Sequence, residues 1–194
     1  MVKSCCDSYH TQFSDFSAML NYHEQVRKSS LWERTEVKKL QVAALDKTSP
    51  LYEDTDSFDP SVSRDAVEDT AENLKLAIKL RDKFFPLRDT AYKSLLDRAK
   101  IGGSALPKLS REKLADVINA CLALHKDSAL LLIRDEKVSA AHSGDSRDYS
   151  VLEIDQLLDG LQSKMDERFP GDQFSAVYVA HAITRPSWPS PGPP

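Results

Sequence analysis

The sequence predicts an α+β fold with a helical N-terminal two-thirds and a small C-terminal β-β-α-β sheet unit. Three observations carry that expectation. Apolar residues recur at spacings of three and four through much of residues 12–125, as amphipathic helices require. After Lys126 the pattern changes to short apolar runs bounded by charge, as strands require. The chain has 194 residues, 41% hydrophobic and 29% charged, which fills the core of one domain or slightly more.

Phe13, Phe16, Met19, Leu20, His23 and Val26 lie on one helical face, predicting a helix over 12–28. Trp32, Val37, Leu40, Ala43 and Ala44 predict a second over 31–45, and together they form a helical N-terminal segment, 1–45. Residues 46–62 are rich in Asp, Ser, Thr and Pro and read as a linker. Its Asp-rich run lacks the glycine and closing glutamate of a calcium loop, which excludes that metal site.

The core domain is expected over 63–185. Ala66, Val67, Thr70, Leu74, Ala77 and Ile78 predict a helix over 63–84, ended by Phe84-Phe85-Pro86, because the residue before proline leaves the α region. Ala91, Tyr92, Leu95, Leu96 and Ala99 predict a helix over 89–100. Gly102-Gly103 reads as its stop, the alternative being that with Ser104 it forms a loop whose backbone amides hold a phosphate. Ser110 caps a third over 110–125, with Glu112 in the first turn, where the helix dipole favours an acid. Ala129–Ile133 and Val138–Ser143 flank the polar turn Arg134-Asp135-Glu136-Lys137 and predict a hairpin over 129–134 and 137–143. Ser150-x-x-Glu153 is a capping box opening a helix over 150–168. Alternation from Phe174 to His181 predicts a strand over 173–183. The tail 186–194 holds five prolines in nine residues and is expected to be extended. The expected core is Leu74, Ile78, Leu95, Leu96, Val117, Ile118, Leu131, Ile133, Ile154, Leu158, Phe174, Val177 and Val179.

No apolar run approaches the ~18 residues of a membrane span. The N-terminus lacks an apolar signal region, and Cys5, Cys6 and Cys121 match neither a disulfide framework nor a zinc spacing. A cytoplasmic protein is expected.

Net charge is −4, but it is unevenly spread. Residues 1–60 carry 7 basic against 10 acidic side chains, residues 61–109 carry 10 against 7, and residues 110–194 carry 9 against 13. The basic band sharpens between Lys75 and Lys108, with 9 basic and 3 acidic residues. One reading is a solvated helical face. The other is a nucleic-acid interface, DNA or RNA, through Lys93, Arg98, Lys100, Lys108 and Arg111, where each phosphate contact adds salt-dependent affinity. Tyr92 stands among them as a stacking candidate or a core residue. The acidic flanks suit a rival role, a docking face for a host or phage protein.

No P-loop, nucleophile elbow, metalloprotease or dinucleotide motif is present. No catalytic set, cofactor or metal site is expected, and the enzyme question stays open with the balance towards none. The rival is a metal-dependent enzyme using His125, His142 and His181, against which stands their plain reading as strand-end and helix-end residues.

Five stretches carry a resemblance. They are Ile101-Gly102-Gly103-Ser104-Ala105-Leu106, Leu114-Ala115-Asp116-Val117-Ile118-Asn119, Lys137-Val138-Ser139-Ala140-Ala141-His142-Ser143-Gly144-Asp145, Tyr149-Ser150-Val151-Leu152-Glu153 and Arg168-Phe169-Pro170-Gly171. Together, over roughly residues 65–188, they resemble the family 932 domain of unknown function. That family is associated with phages, plasmids and other mobile elements. Members are usually longer, so the resemblance implies an N-terminal fragment or a shortened relative that departs into its Pro-rich tail after Trp188. What it implies is a genomic setting, in replication, recombination or host-defence conflict. It carries no functional residues over.

Overall fold

The computed structural model describes residues 3–13, 15–168, 176–180 and 183–187. The chain opens with β1 (His10–Phe13), α1 (Phe16–Ser29), β2 (Leu31–Glu36) and β3 (Gln41–Ala44). It continues through a one-turn α2 (Pro50–Glu53), α3 (Arg64–Glu72), β4 (Leu76–Leu80), β5 (Lys83–Pro86), α4 (Asp89–Ala99) and α5 (Arg111–Leu122). Last come β6 (Ser128–Arg134), β7 (Lys137–Ser143), α6 (Ile154–Arg168), β8 (Ala176–Ala180) and β9 (Ile183–Ser187). Among the described residues these strands make three antiparallel three-stranded sheets, in the orders β1-β8-β9, β2-β6-β7 and β3-β4-β5. The architecture is α+β, but the helical N-terminal two-thirds is overturned. Five strands precede α4, and helices are spread through the chain.

The reasons are specific. Residues 31–45, expected as a helix, are two strands around a 3-10 turn at Val37–Lys39. Trp32 and Thr35 suit a pleated surface, and all of β2 pairs with the apolar β6, from Leu31 opposite Ile133 to Glu36 opposite Ser128. The turn buries Val37 and Leu40 together, which mimics a helical spacing. The expected helix 63–84 stops at Glu72, because Lys75 takes a left-handed backbone (φ 63°) and donates its N–H to the Thr70 carbonyl. Leu76, Ala77 and Ile78 then run fully buried, a central-strand pattern. Pro86 sits on the edge strand β5, where a missing N–H is tolerated.

Residues 46–62, expected as a linker, instead contribute to a core. Tyr52 and Phe58 are buried with Leu45, Val67, Ala71 and Ala77, and the Arg64 guanidinium lies 4.0 Å over the Tyr52 ring. The helix expected over 12–28 begins at Phe16, after β1, whose partner β8 is remote in sequence. The helices near 89–100 and 110–125 and the hairpin of β6 and β7 stand where their patterns place them. The stop after α4 is not Gly102-Gly103 but Lys100, in the left-handed region (φ 56°). The capping box at Ser150 does not form, since α6 starts at Ile154. The strand expected over 173–183 is β8 followed by a separate β9, which takes in Pro186. The remaining tail, 188–194, lies outside the described residues.

The chain divides into two compact units. The larger comprises residues 3–7 and 30–150. Its main core joins Leu76, Ile78, Leu87, Leu95, Leu114, Ile118, Leu122 and Leu131, all fully buried. The open edge of β3 is sealed by Asn119, whose side-chain carbonyl accepts the Val42 N–H (2.7 Å) while its amide donates to the Val42 carbonyl (2.8 Å). The smaller unit takes residues 8–29 and those from 151 on. There Met19 and Leu158 are buried with Phe13, Phe16, Leu20 and Tyr22 around them, and Arg27 pairs with Asp155 at 2.9 Å. Val117 and Ile154, expected in the core, are exposed. Phe174 and the side chains of Val177 and Val179 lie outside the described residues.

Candidate nucleic-acid interface

The sheet β2-β6-β7 has two unlike faces. Leu131, Ile133 and Ala141 are buried on one. Trp32, Leu130, Leu132, Ala140 and His142 stand partly exposed on the other, as strand alternation requires. Helix α4 lies along the free edge of β7 and satisfies its backbone. The Arg88 N–H donates to the Val138 carbonyl (3.0 Å), the Thr90 hydroxyl to the Ser139 carbonyl (2.7 Å), and the Ala141 N–H to the Ser94 hydroxyl (2.9 Å). One turn beyond Ser94, Arg98 lies close enough to the His142 ring to lower its pKa.

On the partly exposed face the aromatic side chains converge. His142 and Tyr149 stack with ring centroids 3.9 Å apart and planes 11° from parallel. Trp32 is 6.2 Å from each, tilted by 37° and 45°. Burial, and then the Arg98 charge, push the His142 imidazole below its ordinary value, and burial pushes the Tyr149 phenol up.

The loop that returns Tyr149 to the sheet is braced from within. The Ser143 hydroxyl donates to Asp148 (3.1 Å), and the Tyr149 N–H donates to the Asp145 carbonyl (3.1 Å). Gly144 begins it. A Cβ there would lie 2.1 Å from Ser128 Oγ and 2.8 Å from its carbonyl carbon, so only glycine permits the close approach.

Of the five predicted basic residues, Lys93 and Arg98 do not share a face of α4. Lys93 and Arg98 lie five positions apart on α4, about 140° around the axis. Lys93 is exposed and paired with Asp89 at 2.5 Å. Arg98 carries a charge that acts on His142, and it makes no ion pair among the described residues. Lys100 is exposed at the C-cap of α4, and Lys108 lies in a 3-10 turn. Arg111 opens α5 and lowers the Tyr92 hydroxyl's pKa, against a larger rise from burial. Tyr92 itself packs against the main core. Trp32, His142 and Tyr149 come from separate elements: the register of β2 on β6 on β7 places Trp32 and His142 on one face, and the braced loop brings Tyr149 to them.

Arg88, read as part of the basic band, is instead only 2% exposed. It donates to Asp7 (2.9 Å) and to the Ser4 carbonyl (3.1 Å), with Asp135 4.0 Å away. Lys137 is fully buried, 2.5 Å from Asp69 and 3.3 Å from Asp7. Asp135 and Glu136 form the two-residue turn of the β6-β7 hairpin, both with positive φ (49° and 68°). Burial holds the Asp135 carboxyl above its ordinary range despite Arg88 and Arg134. The cluster fastens residues 3–7 onto the unit, and burial likewise pushes the Cys5 thiol up, with Cys6 adding to it.

Among the described residues no group of three or more His, Cys, Asp or Glu side chains is arranged to hold a metal. His125 lies 3.7 Å from Asp127, His142 is in the stack, and His181 lies outside the described residues. No helix of the described residues is long and apolar enough to cross a membrane. No family model, curated protein or solved structure matches the chain.

Proposed function

We propose that the chain binds nucleic acid at the C-terminal end of α4 and the adjoining face of the β2-β6-β7 sheet, serving DNA replication or recombination in a mobile element. That setting rests on the family resemblance. One observation carries the binding. Arg98 has no carboxylate partner among the described residues and acts electrostatically on His142, one of three converging aromatic rings. A cation for phosphate next to flat rings for bases is the pairing that nucleic-acid grooves use. Lys100 extends the positive end. The net charge of −4 works against this attraction, so affinity is expected mainly at low salt.

The test is fluorescence anisotropy of labelled DNA and RNA at ~50 mM salt. Log affinity should fall with log salt by about 0.9 per phosphate contact on duplex and about 0.7 on single strands. Replacing Arg98, Lys100, Lys108 and Arg111 with Glu should abolish binding. Lys93→Glu alone should change little, because Asp89 already neutralises it. No binding to any DNA or RNA would overturn the reading.

The second reading is a non-enzymatic protein-interaction module, such as an inhibitor of a host defence system. The observation favouring it is a row of exposed apolar side chains on α6, Ile154, Leu157 and Leu161. Isolated exposed leucines are ordinary, but three on one helical face are less so.

A further inference from the structure

We infer that the partly exposed face of the β2-β6-β7 sheet recognises single-stranded nucleic acid, with an unpaired base stacking on the Trp32–His142–Tyr149 cluster while Arg98 holds a neighbouring phosphate. This rests on the nucleic-acid reading above and specifies its substrate class. The rings decide that class. Their value to a ligand is a π-face, and a duplex keeps the faces of its own bases stacked inside.

Each of the three side chains remains partly exposed, so the cluster is neither closed into the core nor free to wander. Trp32 and His142 project from strands, whose paired backbones fix them. Tyr149 is held by its braced loop. A site ordered in advance gives up less conformational entropy on binding.

Charge placement agrees. The acids of the loop are engaged locally, Asp145 with Arg147 at 2.7 Å and Asp148 with the Ser143 hydroxyl at 3.1 Å. Arg34, on the same face as Trp32, donates to the Gly144 carbonyl. Arg98, on the neighbouring α4 and without a carboxylate partner among the described residues, supplies the cation for a phosphate. A guanidinium also stacks on bases, which a lysine does less well.

The sequence has two tryptophans, Trp32 and Trp188. In the full chain carrying Trp188→Phe, the emission of Trp32 reports on the site directly. The probes are a 12-nucleotide oligothymidylate, a 12-base-pair duplex and thymidine monophosphate. The oligothymidylate should quench Trp32 and bind about tenfold or more tighter than the duplex. Tyr149→Ala should weaken it about tenfold, and Tyr149→Phe should restore it, because the ring and not the hydroxyl does the stacking. Arg98→Gln should lower the salt slope by about 0.7. Retained far-ultraviolet circular dichroism identifies the variants that fold, and Tyr149→Phe with Arg98→Gln keeps the test decisive if Tyr149→Ala does not.

Binding of strand and duplex alike, with Trp32 emission unchanged, overturns the stacking site while leaving nucleic-acid binding intact. Equal quenching by thymidine monophosphate at the same nucleotide concentration overturns the strand as the substrate in favour of a free nucleotide. No binding of any probe at ~50 mM salt overturns this inference and the reading on which it rests.

Discussion

Lys137 and His142 stand on one strand, and burial acts on each in its own way. Lys137 is buried with the carboxylates of Asp69 and Asp7 facing it at 2.5 and 3.3 Å. Lys137→Met leaves those two carboxylates together without their shared cation. A buried ion pair broken on one side costs ~3–5 kcal/mol, so the urea midpoint should drop sharply, while Lys93→Met, on an exposed pair, should move it little. His142 is disfavoured as a cation by burial and by Arg98. Its native pKa lies below the unfolded value of 6.5, so the unfolded chain takes up more protons below that value. Its stability contribution is intact above 6.5 and is lost as pH falls from there through the native pKa. Denaturant titrations at a series of pH values should show that decline, and His142→Phe should flatten it. Asp135 acts in the opposite sense. Its native pKa is raised from 3.8, so its contribution is greatest below 3.8 and is lost as pH rises through the native value. Its window begins lower.

Turns and helix ends show why element boundaries were poorly legible. α4 ends with the Ile101 N–H donating to the Leu96 carbonyl (3.1 Å) and the Lys100 N–H to the Asp97 carbonyl (3.2 Å). That is a Schellman closure, which places Lys100 at the position glycine prefers. Lys100→Gly should therefore raise the thermal midpoint, by ~1 kcal/mol of relieved strain, and at the same time weaken nucleic-acid binding. A gain in stability with a loss of affinity would separate the charge of Lys100 from any part in folding. The hairpin β4-β5 turns on Arg81 (φ 55°) and β6-β7 on Asp135-Glu136. None of these carries the glycine that marks such turns in sequence. The periodicity of 63–84 therefore ran straight through Lys75, where the chain in fact reverses. Helices 89–99 and 111–122 were legible because both the apolar stripe and the Ser110 cap are local signals.

At the scale of the whole molecule, the N-terminal residues are structural members of the larger unit. Lys3 pairs with Asp65, the Ser4 carbonyl accepts from Arg88, and Asp7 engages both Arg88 and Lys137. Deleting residues 1–7 leaves Arg88 without its hydrogen-bonded carboxylate and Lys137 with Asp69 alone. Differential scanning calorimetry should show a lower midpoint for the larger unit in the deleted chain. An unchanged midpoint would show that residues 3–7 do not contribute to its stability. The sequence offered no sign of this role. Residues 1–60 show only an acidic excess, and nothing in the local sequence distinguishes Asp7.

Features that depend on near neighbours are legible along the chain: its α+β character, helices α4 and α5, the apolar runs of β6 and β7, and a basic stretch between acidic flanks. Features that depend on remote partners are settled only by packing. Trp32 lies on a strand because β6 offers a complete apolar mate, and β4 follows α3 because Leu76 to Ile78 are buried on both faces. Arg88 left the basic band because Asp7 is there to neutralise it. The aromatic cluster at the candidate interface was invisible for the same reason. Its members come from different elements: cross-strand register, set by the pairing of whole strands and not by local spacing, puts Trp32 and His142 on one face, and a loop returning to that face stacks Tyr149 on His142.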